Sequence, residues 1–249
     1  MTGPPPREWY PEIGSTQDRA IALARAGAPP GTRVVAARQT GGRGRLDHSW
    51  ASPPGGLYLS VVLRSPTSHE TLLPLAVGAH LAKELEGRYG VSLALKWPND
   101  LLWTGDGPPA RKVAGILLDR VPAPSGGWTA VAGIGVNVAS SDELPSDVAR
   151  HATALADLVQ PAPALEEVEV LVVRAAEAAA ASLLAGDREV EATRALCRAR
   201  LYGVGRRASV DGVPVGTIDS VGPEGELWVN TGSGRVALRA GDLRLDEDV

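Results

Sequence analysis

Two spacings organise the apolar positions of this chain, and they change over several times between its ends. Around Ser15 the pattern is helical: Ser15-Thr16-Gln17-Asp18 opens a run to about Ala26, with Ser15 placed to cap it and Gly27 to end it. Thr32–Gln39 and Leu57–Arg64 are short and mostly apolar, the second with Tyr58 and paired valines, and predict strands. Thr71–Tyr89 returns to helical spacing, with Leu75, Ala79, Ala82 and Leu85 as its apolar positions and Pro74 tolerable in the first turn. Val91–Lys96 alternates, Pro98 imposes a bend after it, and Asn99 and Asp100 fall at a strand end. Beyond the Gly/Pro-rich loop Thr104–Ala110, Arg111-Lys112 begins an apolar strand through Asp119, and Trp128–Val138 predicts another. Leu165–Leu184 and Glu189–Leu201 are alanine-rich helices broken at Gly186-Asp187, while residues 1–12, with four prolines, predict a short extended arm.

From Gly203 the pattern changes to short valine-rich strands separated by Asp211-Gly212, Gly222-Pro223 and Gly232-Ser233-Gly234. This divides the chain into residues 1–202, an α/β (α+β) domain, and residues 203–249, an all-β tail too small to stand comfortably alone, which should dock on the rest. Composition narrows the function classes. A net charge of −4 over 249 residues argues against nucleic acid as a partner. One cysteine, Cys197, permits no internal disulfide and suits the cytoplasm. No uncharged apolar run is long enough to predict a membrane span, and the N-terminus lacks a signal-peptide pattern.

Candidate chemistry concentrates at Thr40–Trp50, where glycine and arginine alternate from Gly42 to Arg45 just after a predicted strand. Glycines let the backbone approach a ligand, and arginines offer a fork that fits carboxylate or phosphate. The residues fit a mobile loop that folds over an anion, and equally a solvated basic turn. The chain has only three lysines, Lys83, Lys96 and Lys112, in an arginine-rich background. A lysine kept there points to a place where a compact ammonium is needed. Glycines inside the strand at Gly133 and Gly135 suggest close approach of a ligand or another backbone.

Taken in order, Ser15-Thr16-Gln17, Gly42-Arg43-Gly44-Arg45 with Trp50, Lys96-Trp97-Pro98-Asn99-Asp100, Arg111-Lys112-Val113-Ala114-Gly115-Ile116-Leu117 and Gly133-Ile134-Gly135-Val136-Asn137 resemble the motifs of biotin protein ligases over roughly residues 10–245. The resemblance implies a mixed-sheet catalytic core like that of class II aminoacyl-tRNA synthetases, followed by a Src-homology-3-like β-barrel. It implies ATP and Mg²⁺ as cofactors and biotin as substrate, a biotin carboxyl carrier protein as partner, and a monomer or weak homodimer. Ser15, Thr16, Gln17 and Gln39 would bind biotin, with Gly115, Gly133 and Gly135 beside it. Arg43, Gly44 and Arg45 would form the loop over the carboxylate and adenylate. Lys112 would sit between carboxylate and α-phosphate, and with Arg45 it would carry the catalysis. Trp50, Asn99, Asp100 and Asn137 would lie on the nucleotide side, and no metal ligand is named.

Family members often read Gly-Arg-Gly-Arg-x-Gly-Arg-x-Trp, whereas Asp47 and His48 replace the third glycine and arginine here. The fourteen residues before Ser15 leave no room for the DNA-binding domain of regulatory members, so no repressor role is expected. Two other readings stay open: a lipoate or octanoate ligase or transferase on the same fold, and a non-enzymatic biotin or nucleotide sensor. The Lys-Trp-Pro-Asn-Asp sequence and the β tail favour biotin over the first.

Overall fold

The alternating segments pair into one mixed sheet of β1 (Arg7–Tyr10), β2 (Arg33–Ala36), β3 (Leu57–Arg64), β4 (Ala94–Lys96), β5 (Asp100–Trp103), β6 (Arg111–Pro122) and β7 (Trp128–Val136), in the order β1-β2-β3-β7-β6-β5-β4. The structure, a computed structural model, describes residues 4–46, 48–65, 69–105, 109–124 and 126–245. Only β1 and β2 run parallel; the other neighbours are antiparallel. The expected N-terminal arm is in part this edge strand β1. Its four residues sit between prolines and carry no legible period, so the pairing with β2 depends on a partner more than twenty residues away. The helices are α1 (Thr16–Arg25), α2 (Leu73–Tyr89), two single turns α3 (Ser146–Ala149) and α4 (Leu155–Leu158), α5 (Leu165–Leu184) and α6 (Asp187–Ala199). Ser15 caps α1 as expected, its Oγ accepting from Asp18 N at 3.4 Å.

The two faces of the sheet do different work. One is packed under α2 and α5 by Leu57, Leu59, Val61 and Leu63 of β3 and Ala132, Ile134 and Val136 of β7. Burying a side chain of this size is worth about 1.5–3 kcal/mol, so this face holds most of the stability. On the other face, α1 sets Ala20 and Ala24 against Val34, Val62, Val121 and Val131. That small cluster covers only one end. Further along the same face the side chains shrink to Ser60, Gly133, Gly135 and Gly115, where the register places Ser60 opposite Gly133 and Gly115 opposite Gly135. The shrinkage opens a cleft.

The C-terminal strands β8 (Arg207–Val210), β9 (Val213–Val221), β10 (Leu227–Thr231), β11 (Gly234–Leu238) and β12 (Leu243–Leu245) form an antiparallel sheet in the order β11-β10-β9-β8-β12. It docks on the main core: Leu227, Val229, Leu243 and Leu245 join the same apolar cluster as α2 and α5. Buried Trp97 donates Nε1 to Gly225 O at 2.9 Å, and Arg198 Nε donates to Val221 O at 3.1 Å. No helix of the described residues is long and apolar enough to cross a membrane.

Candidate functional site

The closed end of the cleft is polar, built where the first turn of α1 meets β3, β7 and the chain after β2. Thr16 donates from both its backbone N (2.8 Å) and its Oγ1 (3.1 Å) to Gln39 Oε1. Thr16 Oγ1 also lies 2.9 Å from Ser60 Oγ, and Gln39 Nε2 donates to Ser52 Oγ at 2.9 Å. Gln17 is 3% exposed, and its Nε2 donates to Asp119 Oδ2 at 2.9 Å and to Val131 O at 3.0 Å. Its Oε1 has no partner. A Cβ at Gly133 would come within 2.6 Å of that oxygen, so the glycine leaves the space in front of it open.

The middle of the cleft is floored by Gly115 and Gly135, over which the Trp50 ring lies. A Cβ at these positions would meet the ring at 2.7 Å and 2.4 Å. Trp50 Nε1 is buried and unpaired. Lys112 Nζ stands 5.0 Å from the centre of the ring and 2.7 Å from Asp100 Oδ1. Asp100 Oδ1 has no partner in hydrogen-bond geometry, so the contact with Lys112 is an ion pair.

The open end is made by Asn99 and by the C-terminal sheet. Asn99 Nδ2 donates to Ile116 O at 2.8 Å and Ile116 N returns a bond to Asn99 O at 2.9 Å, which fixes the turn after the cis Trp97–Pro98 bond. Gly241 and Asp242, before β12, complete the wall, with Asp242 Oδ1 3.9 Å from Lys96 Nζ.

The glycine–arginine loop folds back over this cleft. Trp50 N donates to Gly42 O at 2.9 Å, Gly44 N donates to His48 O at 2.7 Å, and Arg43 bridges Ser49 across the turn. A Cβ at Gly42 would meet Trp50 O at 2.4 Å, so the glycine is required by close approach of backbone. Arg43 Nη1 reaches Asp18 at 2.8 Å and Asp119 at 3.5 Å. Arg45 lines the cavity and makes no ion pair among the described residues. His48 is exposed at the cavity edge, and Asp47 lies outside the described residues.

Ser15, Thr16, Gln17, Gln39, Arg43, Gly44, Arg45, Trp50, Asn99, Asp100, Lys112, Gly115, Gly133 and Gly135 thus line one cavity. Asn137 stands apart from that wall. It is buried, and its Nδ2 donates to Lys112 O and Thr153 O, each at 3.2 Å, bracing the Lys112 strand from behind. Ser60 and Asp242 were not among the sequence candidates, and Lys96 was singled out only as a retained lysine in a motif, with no role in the site. A lone hydroxyl inside Leu-Tyr-Leu-Ser-Val-Val-Leu was a usable signal for Ser60; Asp242 had none, because only docking of the C-terminal sheet brings it here. Among the described residues no three His, Cys, Asp or Glu side chains gather as metal ligands.

The chain is similar in sequence and in fold to known proteins. A sequence profile of the Biotin/lipoate A/B protein ligase family matches residues 11–138. The Bifunctional ligase/repressor BirA of Bacillus spizizenii is 37% identical over 147 residues, 57% of this chain and 44% of that protein, so the match spans less than half of its length. The Biotin--[acetyl-CoA-carboxylase] ligase of Mycobacterium tuberculosis is 31% identical over 245 residues, covering 93% of this chain and 86% of that protein. A solved structure of the Aquifex aeolicus biotin protein ligase in complex with biotin and ATP superposes with a TM-score of 0.81 at 26% identity, over 96% of this chain and 98% of that one. The mixed α/β fold agrees with such structures, and the C-terminal antiparallel sheet is consistent with a Src-homology-3-like barrel. With 128 residues inside the family profile and a relative aligned over nearly its whole length, the chain belongs to the biotin/lipoate A/B protein ligase family.

Proposed function

We propose that this chain is a biotin–protein ligase, which activates biotin as biotinyl-5′-AMP and transfers it to a lysine of a biotin carboxyl carrier protein. The observation that carries the reading is the pairing of a buried polar end, Thr16, Gln17, Gln39 and Ser60, with a cationic middle at Lys112 and Arg45. A ureido ring can satisfy that polar end and leave its carboxylate among the cations. A dithiolane would leave the buried Gln17 Oε1 without a donor, at about 1–3 kcal/mol, which disfavours lipoate.

In the first step the biotin carboxylate attacks the α-phosphorus of ATP and pyrophosphate leaves. Two unit charges at ~4 Å repel by roughly 4 kcal/mol at an effective dielectric of ~20. Lys112 and Arg45 offset that repulsion and stabilise the charge that builds on the α-phosphate. Asp100 holds Lys112 over Trp50 until a phosphate takes its place beside the ammonium. Mg²⁺ would come with ATP as part of that substrate and shield the charge of its triphosphate. Arg43, Gly44 and the rest of the loop cover the mixed anhydride against water. In the second step the ε-amine of the carrier lysine attacks the anhydride carbonyl and AMP leaves. The division of labour assigns residues 1–202 to catalysis and residues 203–249 to a β-barrel that lends Asp242 to the mouth. A lone buried cysteine, Cys197, suits a cytoplasmic setting.

ATP–pyrophosphate exchange tests this directly. Exchange should depend on biotin and fail with lipoate or octanoate. Exchange with either fatty acid in place of biotin would reassign the substrate, and tight biotin binding with no exchange would make the chain a sensor.

A further inference from the structure

We infer that Asp119, which lies outside the cavity, is a positioning residue that aims the Gln17 amide so that its Oε1 accepts a ring N–H of the bound substrate. The inference rests on the biotin reading above. An amide side chain has two faces of opposite character, and its orientation is set by what surrounds it. Gln17 Nε2 spends both hydrogens on acceptors, Asp119 Oδ2 at 2.9 Å and Val131 O at 3.0 Å. Turned over, Gln17 would press its oxygen against a carboxylate and a carbonyl. Oε1 is therefore forced to the opposite side, where it is buried, unpaired and faces the space kept open by Gly133. A buried acceptor without a donor is costly, and a ligand N–H removes the cost.

A Cβ on Gly133 would lie 2.6 Å from that oxygen and 3.4 Å from Ser60 Oγ, so the acceptor belongs to the same polar end as Thr16 and Gln39. Asp119 also lies 3.5 Å from Arg43, but Arg43 keeps a nearer partner in Asp18 at 2.8 Å. Loss of Asp119 should then be felt through Gln17 more than through the loop.

The test is a double-mutant cycle on biotin affinity, measured by calorimetry without ATP, with melting temperature and the KM for ATP alongside. Asp119→Ala should weaken biotin binding by about tenfold, and Gln17→Ala by at least as much. The double variant should bind within about twofold of Gln17→Ala alone, and the KM for ATP should move by less than about twofold. Asp119→Asn should stay within about threefold of wild type, because its carbonyl can still accept from Gln17. Multiplying losses in the double variant, or unchanged biotin affinity in Asp119→Ala, would overturn the inference. An isosteric pair covers the case in which an alanine variant does not fold. Gln17→Glu sets two carboxylates together and should cost about tenfold in biotin affinity, of which Asp119→Asn added to it should restore at least about threefold; no restoration would overturn the inference as well. If the wild-type protein binds no biotin, the functional reading itself falls, an outcome distinct from wild type and Asp119→Ala binding biotin equally well.

Discussion

Lys112 shows how much of the proposed chemistry is assigned to single side chains. It is one of three lysines in a chain rich in arginine, and it stands between a carboxylate and an indole ring. A compact ammonium fits that space, whereas a planar guanidinium is wider and spreads its charge. In the proposed reaction its charge is needed when carboxylate and triphosphate are forced together, and less once the anhydride has formed. Lys112→Ala should therefore slow ATP-dependent biotinylation by ~100-fold or more, a loss on the order of 2.7 kcal/mol. Supplied with preformed biotinyl-AMP, the same variant should transfer biotin with a much smaller defect. Single-turnover rates for the two half-reactions decide it, and equal losses would contradict this division. Lys112, Gly133 and Gly135 were legible in the sequence because each breaks a local expectation, a charge or a missing side chain inside an apolar strand. Asn137 was legible for the same reason but sits behind the wall, since sequence spacing says that a polar group is buried and not which way it faces. Asp119 closed a predicted strand with nothing to mark its bond to Gln17, which spans more than a hundred residues.

The element that does most is the loop from Thr40 to Trp50. Its backbone bonds close a small turn, yet most of its described side chains stay exposed. Amide hydrogen exchange should be fast across this loop in the free protein and slow on addition of biotin plus ATP; exchange unchanged by both ligands would count against closure. The strand below it imposes a complementary requirement. Gly135→Ala would place a methyl group 2.4 Å from the Trp50 ring, too close for the ring to stay. That variant should raise the KM for ATP by about tenfold or more while shifting the melting temperature by only a few degrees, as read from initial rates and thermal unfolding. An unchanged KM would show that the ring position is unimportant. Strands and helices with a clear period, such as Leu57–Arg64 and Leu165–Leu184, have the ends their sequences predict. β1 and the single turns α3 and α4 do not announce themselves, because four residues are too few for a period and their pairing is decided elsewhere.

At the scale of the molecule, two joints hold the site's walls in register. One is the docking of the C-terminal sheet through Trp97 and Gly225, which brings Asp242 to the cleft mouth. The other ties the N-terminal edge strand to α5. Arg7 donates Nε and Nη2 to the two oxygens of Glu169 at 2.7 Å each, and Arg33 adds a bond at 3.2 Å. Hydrogen bonding from Arg7 holds the Glu169 carboxyl below its ordinary value of 4.5, against the opposing effect of its burial. A carboxyl depressed in the folded state adds stability that is present above the ordinary value and is lost as pH falls through the folded one. Glu169→Gln should thus destabilise the protein at neutral pH by on the order of 2 kcal/mol, trimmed by the partial exposure of Arg7. Melting curves of the two proteins should converge as pH falls from the ordinary carboxyl value of 4.5 through the lower folded one, and a gap that persists or widens there would contradict the sign. None of these joints was visible along the chain, since each links segments far apart in sequence. The central claim, that the cleft makes a biotinyl adenylate and passes its biotinyl group to a carrier lysine with release of AMP, has one direct measurement. The protein is mixed with biotin and ATP labelled at the α-phosphate, separated from free nucleotide, and then given a biotin carboxyl carrier domain. The account predicts label retained with the protein only when biotin is present, and released as AMP together with biotinylation of one carrier lysine. Label retained without biotin, or released as AMP with the carrier unmodified, would contradict it.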